Sequence, residues 1–315
     1  MGGKGKDASE ITKIRDGTII SLFDKTDEPT GETDIFCPHF WELKYANGCK
    51  YDCQWCYLNG VYRYNAWGKK PRLKDTQKII QDTKDILKKL KVPTMFNVGE
   101  VADGQVFPNS LIRDVIPLFA NEFSNPNKHK LLILTKDDTK KVIYAVANPK
   151  NIVLAYSINA KAVSEQYELM APHPWERLEA AKMAYRKGFE VRLRIDPMVP
   201  VNRWDLGYRE LIKQIMKTVP HASIITLGSP RGLVSTIVAG KKLNNDMSWT
   251  NYLTDKSNWG LRVPHKTRVE MFSFAIQELE DAGYKGKIAI CKEPLKVWND
   301  CGLKIDVSTK CNCLI

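Results

Sequence analysis

Residues 39–60 read HFWELKYANGCKYDCQWCYLNG. The first eight are aromatic and apolar enough for a strand. The chain then runs into Cys49, Cys53 and Cys56, spaced C-x3-C-x2-C. Thiolates this close on one loop can hold an iron–sulfur cluster. Three local ligands leave the fourth iron of a [4Fe–4S] cube without a local protein ligand, and an open coordination site invites a substrate or cofactor. Zinc is the rival metal, although zinc sites usually pair C-x2-C knuckles around four ligands. Three incidental buried thiols are the third reading.

Working outward, further candidate strands lie at 94–99, 130–135, 151–158, 190–196 and 222–228, with helical stretches at 75–91, 109–122, 137–147, 174–187 and 205–217. Asn109 is a cap-like start for the second helix. Six strands with intervening helices imply parallel βαβ units, hence an α/β chain in an open or partial (β/α)6 barrel. The rhythm breaks after Gly228: residues 230–264 show no clear period, before a helix at about 266–282 and a strand at 287–291. This divides the chain into a polar N-terminal arm (1–35), a barrel (36–235) and a cysteine-containing C-terminal extension (236–315). Sites in parallel α/β folds form at the C-terminal ends of strands. Here those ends read GCKYDCQWC, GEVADG, TKDD, SIN, DPMVP and GSPRG, so one rim collects the reactive residue types.

Composition narrows the class. The 315 residues are 43% hydrophobic and 27% charged, a globular balance, and 48 basic against 36 acidic residues give a net charge of +12, which suits a polyanionic partner. Eight cysteines are too sparse for a disulfide scaffold, and the ligand-like spacing of three indicates a reducing, cytoplasmic compartment. No run approaches ~18 apolar residues, so no membrane span is expected.

The triad, followed by the aromatic Tyr57 on the loop after the first strand, resembles the radical S-adenosylmethionine superfamily. That resemblance implies a [4Fe–4S] cluster on Cys49, Cys53 and Cys56, with S-adenosylmethionine on the unique iron. It implies cofactor contacts from Glu100 in NVGEVADG, from Ser157 and Asn159 in YSIN, and from Arg192, Arg194 and Asp196 in RLRIDP. The last three alternate onto one strand face; a methionyl carboxylate would partner a buried Arg, and an internal Arg–Asp pair is the alternative. Together, CQWCYLNG, LLILTKDD, PWERLEAAKMAYRKGFEVRLRIDPMVP, TLGSPR and the tail C-x-C resemble the spore photoproduct lyase branch. This implies a DNA or nucleotide substrate, an external electron donor such as flavodoxin or ferredoxin, and radical relay near Tyr57.

The lyase branch also carries a hydrogen-donating cysteine just after its second strand. Residues 97–103, NVGEVAD, contain no thiol. The expectation is therefore modification or rearrangement of a pyrimidine base or its substituent in DNA, of lyase or isomerase type, rather than dimer repair. A peptide- or protein-modifying radical enzyme and a zinc-stabilised nucleic-acid-binding module are the alternatives. Cys291, Cys301, Cys311 and Cys313 ligate an auxiliary metal, or are structural, or Cys311 and Cys313 act catalytically by returning hydrogen. The last role requires the tail to reach the barrel mouth. Trp55, Tyr57, Tyr62, Tyr64 and Trp67, interleaved with Arg63, Lys69, Lys70 and Arg72, are candidates for base stacking and phosphate contact.

Overall fold

In the computed structural model, which describes residues 17–24, 26–138, 140–257, 260–305 and 311–315, the apolar runs form one eight-stranded sheet. Its strands are β1 (Ile20–Phe23), β2 (Phe40–Leu43), β3 (Met95–Val98), β4 (Lys130–Thr135), β5 (Ile152–Ile158), β6 (Glu190–Ile195), β7 (Ile224–Leu227) and β8 (Lys287–Ile290). Each pairs with the next; β1 and β2 are antiparallel and all later pairs parallel. The parallel strands number seven rather than six, because β8, assigned to the extension, hydrogen-bonds to β7. The segment read as an arm likewise contributes β1, with Ile19 and Ile20 fully buried. Four residues are too few for a period to show in sequence.

The main helices are α1 (Thr76–Lys89), α2 (Pro174–Arg186), α3 (Trp204–Thr218) and α4 (His265–Asp281). Asp75 caps α1 by accepting from the Lys78 N–H at 2.9 Å. His173 and Glu176 form a capping box on α2. The 109–122 stretch begins at Pro108 rather than being capped by Asn109, since proline lacks the N–H that a first helical residue leaves unused. It passes through a π-helical segment at Leu111–Val115.

Alternation along the strands gives the two sheet faces different partners. Phe96, Ile133, Leu154, Leu193 and Ile195 join the helices in one large core. Met95, Leu132, Val153 and Ala155 form a separate apolar patch, against which Leu134 and Ile315 pack. All seven residues of β5 are buried, which accounts for its unbroken apolar run. Residues 230–264 contain a helix, Val234–Lys242, a 3-10 turn, Ser248–Tyr252, and a small three-stranded sheet. Each piece is too short for its period to stand out. No helix among the described residues is long and apolar enough to cross a membrane.

Candidate active site

The triad loop is held by backbone contacts from several directions. Gly48 donates its N–H to the Val101 carbonyl at 2.9 Å, and Cys49 donates to the Lys69 carbonyl at 2.8 Å. Gly48 has φ +86, and a Cβ there would lie 2.5 Å from the carbonyl oxygens of Lys69 and Lys70, so this turn admits only glycine. Asp52–Cys53 pairs antiparallel with Glu168–Leu169. After Cys56 comes the short helix Tyr57–Val61, packed on Val234–Lys242; a Cβ on Gly60 would meet the Ser235 backbone at 2.8 Å. Asn245 and Asp246, from the stretch without a period, hold Gln54 at 3.1 and 2.7 Å.

Cys53 is buried and Cys49 and Cys56 are half-buried, near enough for the charge of one to be felt at another. Burial pushes the Cys49 thiol up to about 12, with Asp103 next and Cys56 adding to it. Burial also raises Cys53, against the pull of the Lys136 ammonium, with Glu168, Cys56 and Cys49 raising it further. Buried thiolates need a compensating positive centre, and three soft donors on one loop fit an iron–sulfur cluster.

Beneath the triad lies a polar network that the sequence reading passed over. The Lys136 ammonium donates to Ser157 Oγ at 2.6 Å and contacts Glu168 Oε1 at 3.3 Å. Glu168 is buried and pairs with the equally buried Arg177 at 2.6 Å. Burial alone would raise the Glu168 carboxyl, but Lys136 and Arg177 hold it down to about 2. Lys136 stood in the quoted TKDD strand end, and that position was its only signal. Glu168 had none.

Of the expected cofactor contacts, Ser157 accepts from the Lys136 ammonium and Glu100 lines the cleft that the tail cysteines also line. Asn159 is fully buried and committed: its Nδ2 donates to the Pro197 carbonyl at 2.7 Å, while its Oδ1 accepts from Ala160 N–H and the Tyr208 hydroxyl. It holds the loop after β6. Asp196 accepts from both Arg194 and Arg231, and these cations hold its carboxyl far below the usual range although burial opposes them. Arg194 also donates to Cys291 Sγ at 2.9 Å. The internal Arg–Asp pairing is thus the one formed. Arg192 is committed elsewhere, to Glu190 and to the carbonyls of Cys311, Asn312 and Leu314.

Those carbonyls belong to the segment that carries the tail thiols. Cys311 and Cys313 line one cleft with Glu100, Arg194, Cys37 and Cys291. Asn97, at the end of β3, donates to the Cys313 carbonyl at 3.2 Å. The Cys313 thiol lowers Cys311 by hydrogen-bonding to it, and its own titration is raised first by that bond and then by burial. The tail therefore brings two thiols to the strand end that lacks one. Cys37 joins this group unforeseen, burial pushing it up to about 12; Cys301 lies apart, against the Val269 carbonyl.

Tyr57 is 40% exposed, and desolvation, followed by the charges of Glu100 and Cys56, raises its phenol. Of the neighbouring aromatics, the Trp55 ring packs at a tilt on Tyr167 and the Tyr62 hydroxyl donates to the Val101 carbonyl. Tyr64 and Trp67 are 88% and 62% exposed, with the Arg63 guanidinium over the Tyr64 ring.

A family model for spore photoproduct lyase matches residues 38–228. The chain belongs to the spore photoproduct lyase family. The spore photoproduct lyase of Clostridium acetobutylicum is 26% identical over 188 residues, covering 55% of this chain and 51% of that protein. The enzyme of Bacillus subtilis is 21% identical over 182 residues, covering 57% and 52%. The chain thus spans about half the length of the curated relatives it matches. A spore photoproduct lyase solved with a dinucleoside spore photoproduct superposes with TM-score 0.66 at 16% identity, over 84% of this chain and 78% of that one. Streptococcus suis SuiB, solved with its precursor peptide SuiA, superposes with TM-score 0.53 at 14% identity, over 82% and 49%. These likenesses show the α/β fold with its mostly parallel sheet. The named family relatives are lyases, which runs against the expectation of base modification instead of dimer repair. The matched span holds the triad, Glu100 and the rim but ends before the tail thiols.

Proposed function

We propose that this protein is a radical S-adenosylmethionine lyase that splits a thymine photoproduct in DNA, with a tail thiol returning hydrogen to the product. Helices on one sheet face and the tail on the other suit a partial barrel whose mouth is the rim described above. Cys49, Cys53 and Cys56 would hold a [4Fe–4S] cluster, which with bound S-adenosylmethionine supplies a 5′-deoxyadenosyl radical. Glu100 offers a carboxylate to the cofactor's ammonium, and the Lys136 ammonium and Ser157 hydroxyl offer donors to its carboxylate. The helix Tyr57–Val61, packed on Val234–Lys242, continues the triad loop. Exposed Tyr64 and Trp67, with Arg63, Lys70 and Arg72, suit stacking and phosphate contact beside the mouth. A flavodoxin- or ferredoxin-type protein is the electron donor.

The observation that carries this reading is the placement of Cys311 and Cys313 beside Asn97 and Glu100. A lyase must end by giving a hydrogen atom to a carbon radical on the product. At either thiol the S–H bond breaks, the C–H bond forms, and a sulfur-centred radical remains beside the second thiol. Cys311→Ala and Cys313→Ala should keep iron content and 5′-deoxyadenosine formation while thymidine formation from a dinucleoside spore photoproduct falls at least about tenfold. Unchanged thymidine formation in both variants would remove the tail from the chemistry. Unmutated protein that forms 5′-deoxyadenosine on this substrate without forming thymidine would restore base modification as the better reading.

A further inference from the structure

We infer that Arg192 is a positioning residue: with Asn97 it clamps residues 311–314 by their carbonyls and so aims the Cys311–Cys313 thiols at the site. This rests on the reading that a tail thiol returns hydrogen.

The tail segment forms no helix or strand, so its buried carbonyls need donors from elsewhere. The Leu314 N–H reaches the Cys311 carbonyl at 3.3 Å, and two side chains from the sheet supply the other donors. Arg192 Nη1 reaches the carbonyls of Cys311 at 3.4 Å, Asn312 at 2.8 Å and Leu314 at 2.5 Å. Asn97 Nδ2 takes the remaining one, Cys313, at 3.2 Å. Four consecutive carbonyls are thus held by β3 and β6, two strands separated in the sheet by β4 and β5.

The clamp has its own foundation. Arg192 Nε and Nη2 donate to Glu190 Oε1 at 2.8 and 2.6 Å, and Glu190 Oε2 takes the Lys130 ammonium at 2.6 Å. Ser223 Oγ donates to Glu190 Oε1 at 3.1 Å. At 2% exposure, with one edge on Glu190 and one nitrogen on the tail, the guanidinium is spent within the fold and not on a ligand. The planar fork of arginine, with donors on two edges, is what lets one residue serve both. Ile315 then packs on the patch of Met95, Leu132, Val153 and Ala155, which fixes the segment at its far end.

The test reads the thiols directly. The full chain, metal-free, reduced and anaerobic, is treated with N-ethylmaleimide, and labelling at each cysteine is followed by peptide mass spectrometry. Arg192→Met should label Cys311 and Cys313 about tenfold faster or more, through local opening of the segment, with Cys301 unchanged as the internal reference. Arg192→Lys should restore part of the protection, since an ammonium can still donate to carbonyls. Asn97→Leu, which leaves the Arg192–Glu190 pair intact, guards against a folding defect and should raise labelling chiefly at Cys313. Labelling of Cys311 and Cys313 at the wild-type rate in both Arg192→Met and Asn97→Leu would overturn the clamp, as would acceleration at every cysteine alike. On the reconstituted enzyme, Arg192→Met should form less thymidine per 5′-deoxyadenosine. If the thiols open but that ratio holds, the positioning role is overturned, while the hydrogen-return reading stands or falls on Cys311→Ala and Cys313→Ala.

Discussion

At Glu168 a single carboxylate links the triad loop to the sheet. Its backbone pairs with Cys53, and its side chain is shared by Arg177 and Lys136. Its carboxyl is held at about 2 against an ordinary 4.5, so the ionised form is favoured by folding. The stabilisation is complete above about pH 4.5 and is lost as pH falls from there toward 2. Glu168→Gln should cost about 3 kcal/mol at pH 7, since it strands a buried guanidinium. The gap from wild type should close as pH is lowered through that window. Urea unfolding at pH 7, 4.5 and 3 checks this; a gap independent of pH would mean that Glu168 contributes by shape and not by charge.

At the scale of elements, the triad loop is built by backbone contacts more than by its own side chains. Gly48 is its tightest point. Gly48→Ala places a Cβ against two carbonyl oxygens at a positive φ, a strain of about 1–3 kcal/mol or more. The loop must shift, and with it Cys49, whose N–H is bonded to one of those carbonyls. The variant should keep its far-ultraviolet circular dichroism yet bind less iron on anaerobic reconstitution, approaching the level of Cys49→Ala. Wild-type iron uptake would show that the loop tolerates the displacement. The same logic explains the helix Val234–Lys242: lacking a strong pattern of its own, it is specified by the close backbone approach that Gly60 permits.

For the whole molecule, the net charge of +12 acquires a direction. Lys69 is tied to Asp52 at 3.3 Å and its carbonyl to Cys49, so it is withdrawn from the expected DNA surface. Arg63, Lys70 and Arg72 remain exposed beside Tyr64 and Trp67. Replacing these three cations with Gln should weaken binding to duplex DNA. It should also flatten the dependence of log affinity on log salt by roughly 0.9 per lost phosphate contact. Fluorescence anisotropy across a salt series measures both, and an unchanged slope would place the DNA elsewhere. Trp67→Ala should weaken binding with little change in slope, because stacking releases no counterions.

The sequence by itself determined the parallel core strands, the triad and the family. Long apolar runs such as 130–135 and 151–158 and a ligand motif within eight residues are local signals, readable without knowing what lies opposite. Local signals could not place β1 or β8 in the sheet, since a strand of four residues is specified by the edge it joins. Nor could they show which fold partners Asn159, Arg192, Arg194 and Asp196 take. Alternation correctly put Arg192, Arg194 and Asp196 on one face, but the partner of a buried charge is whatever the fold brings within hydrogen-bonding reach. For Arg192 that partner came from over a hundred residues away. The tertiary structure alone decided that residues 311–315 lie against the sheet, because there an apolar patch, a buried guanidinium and the Asn97 amide meet the carbonyls of that segment. It set Cys311 and Cys313 beside the strand end whose own residues contain no thiol.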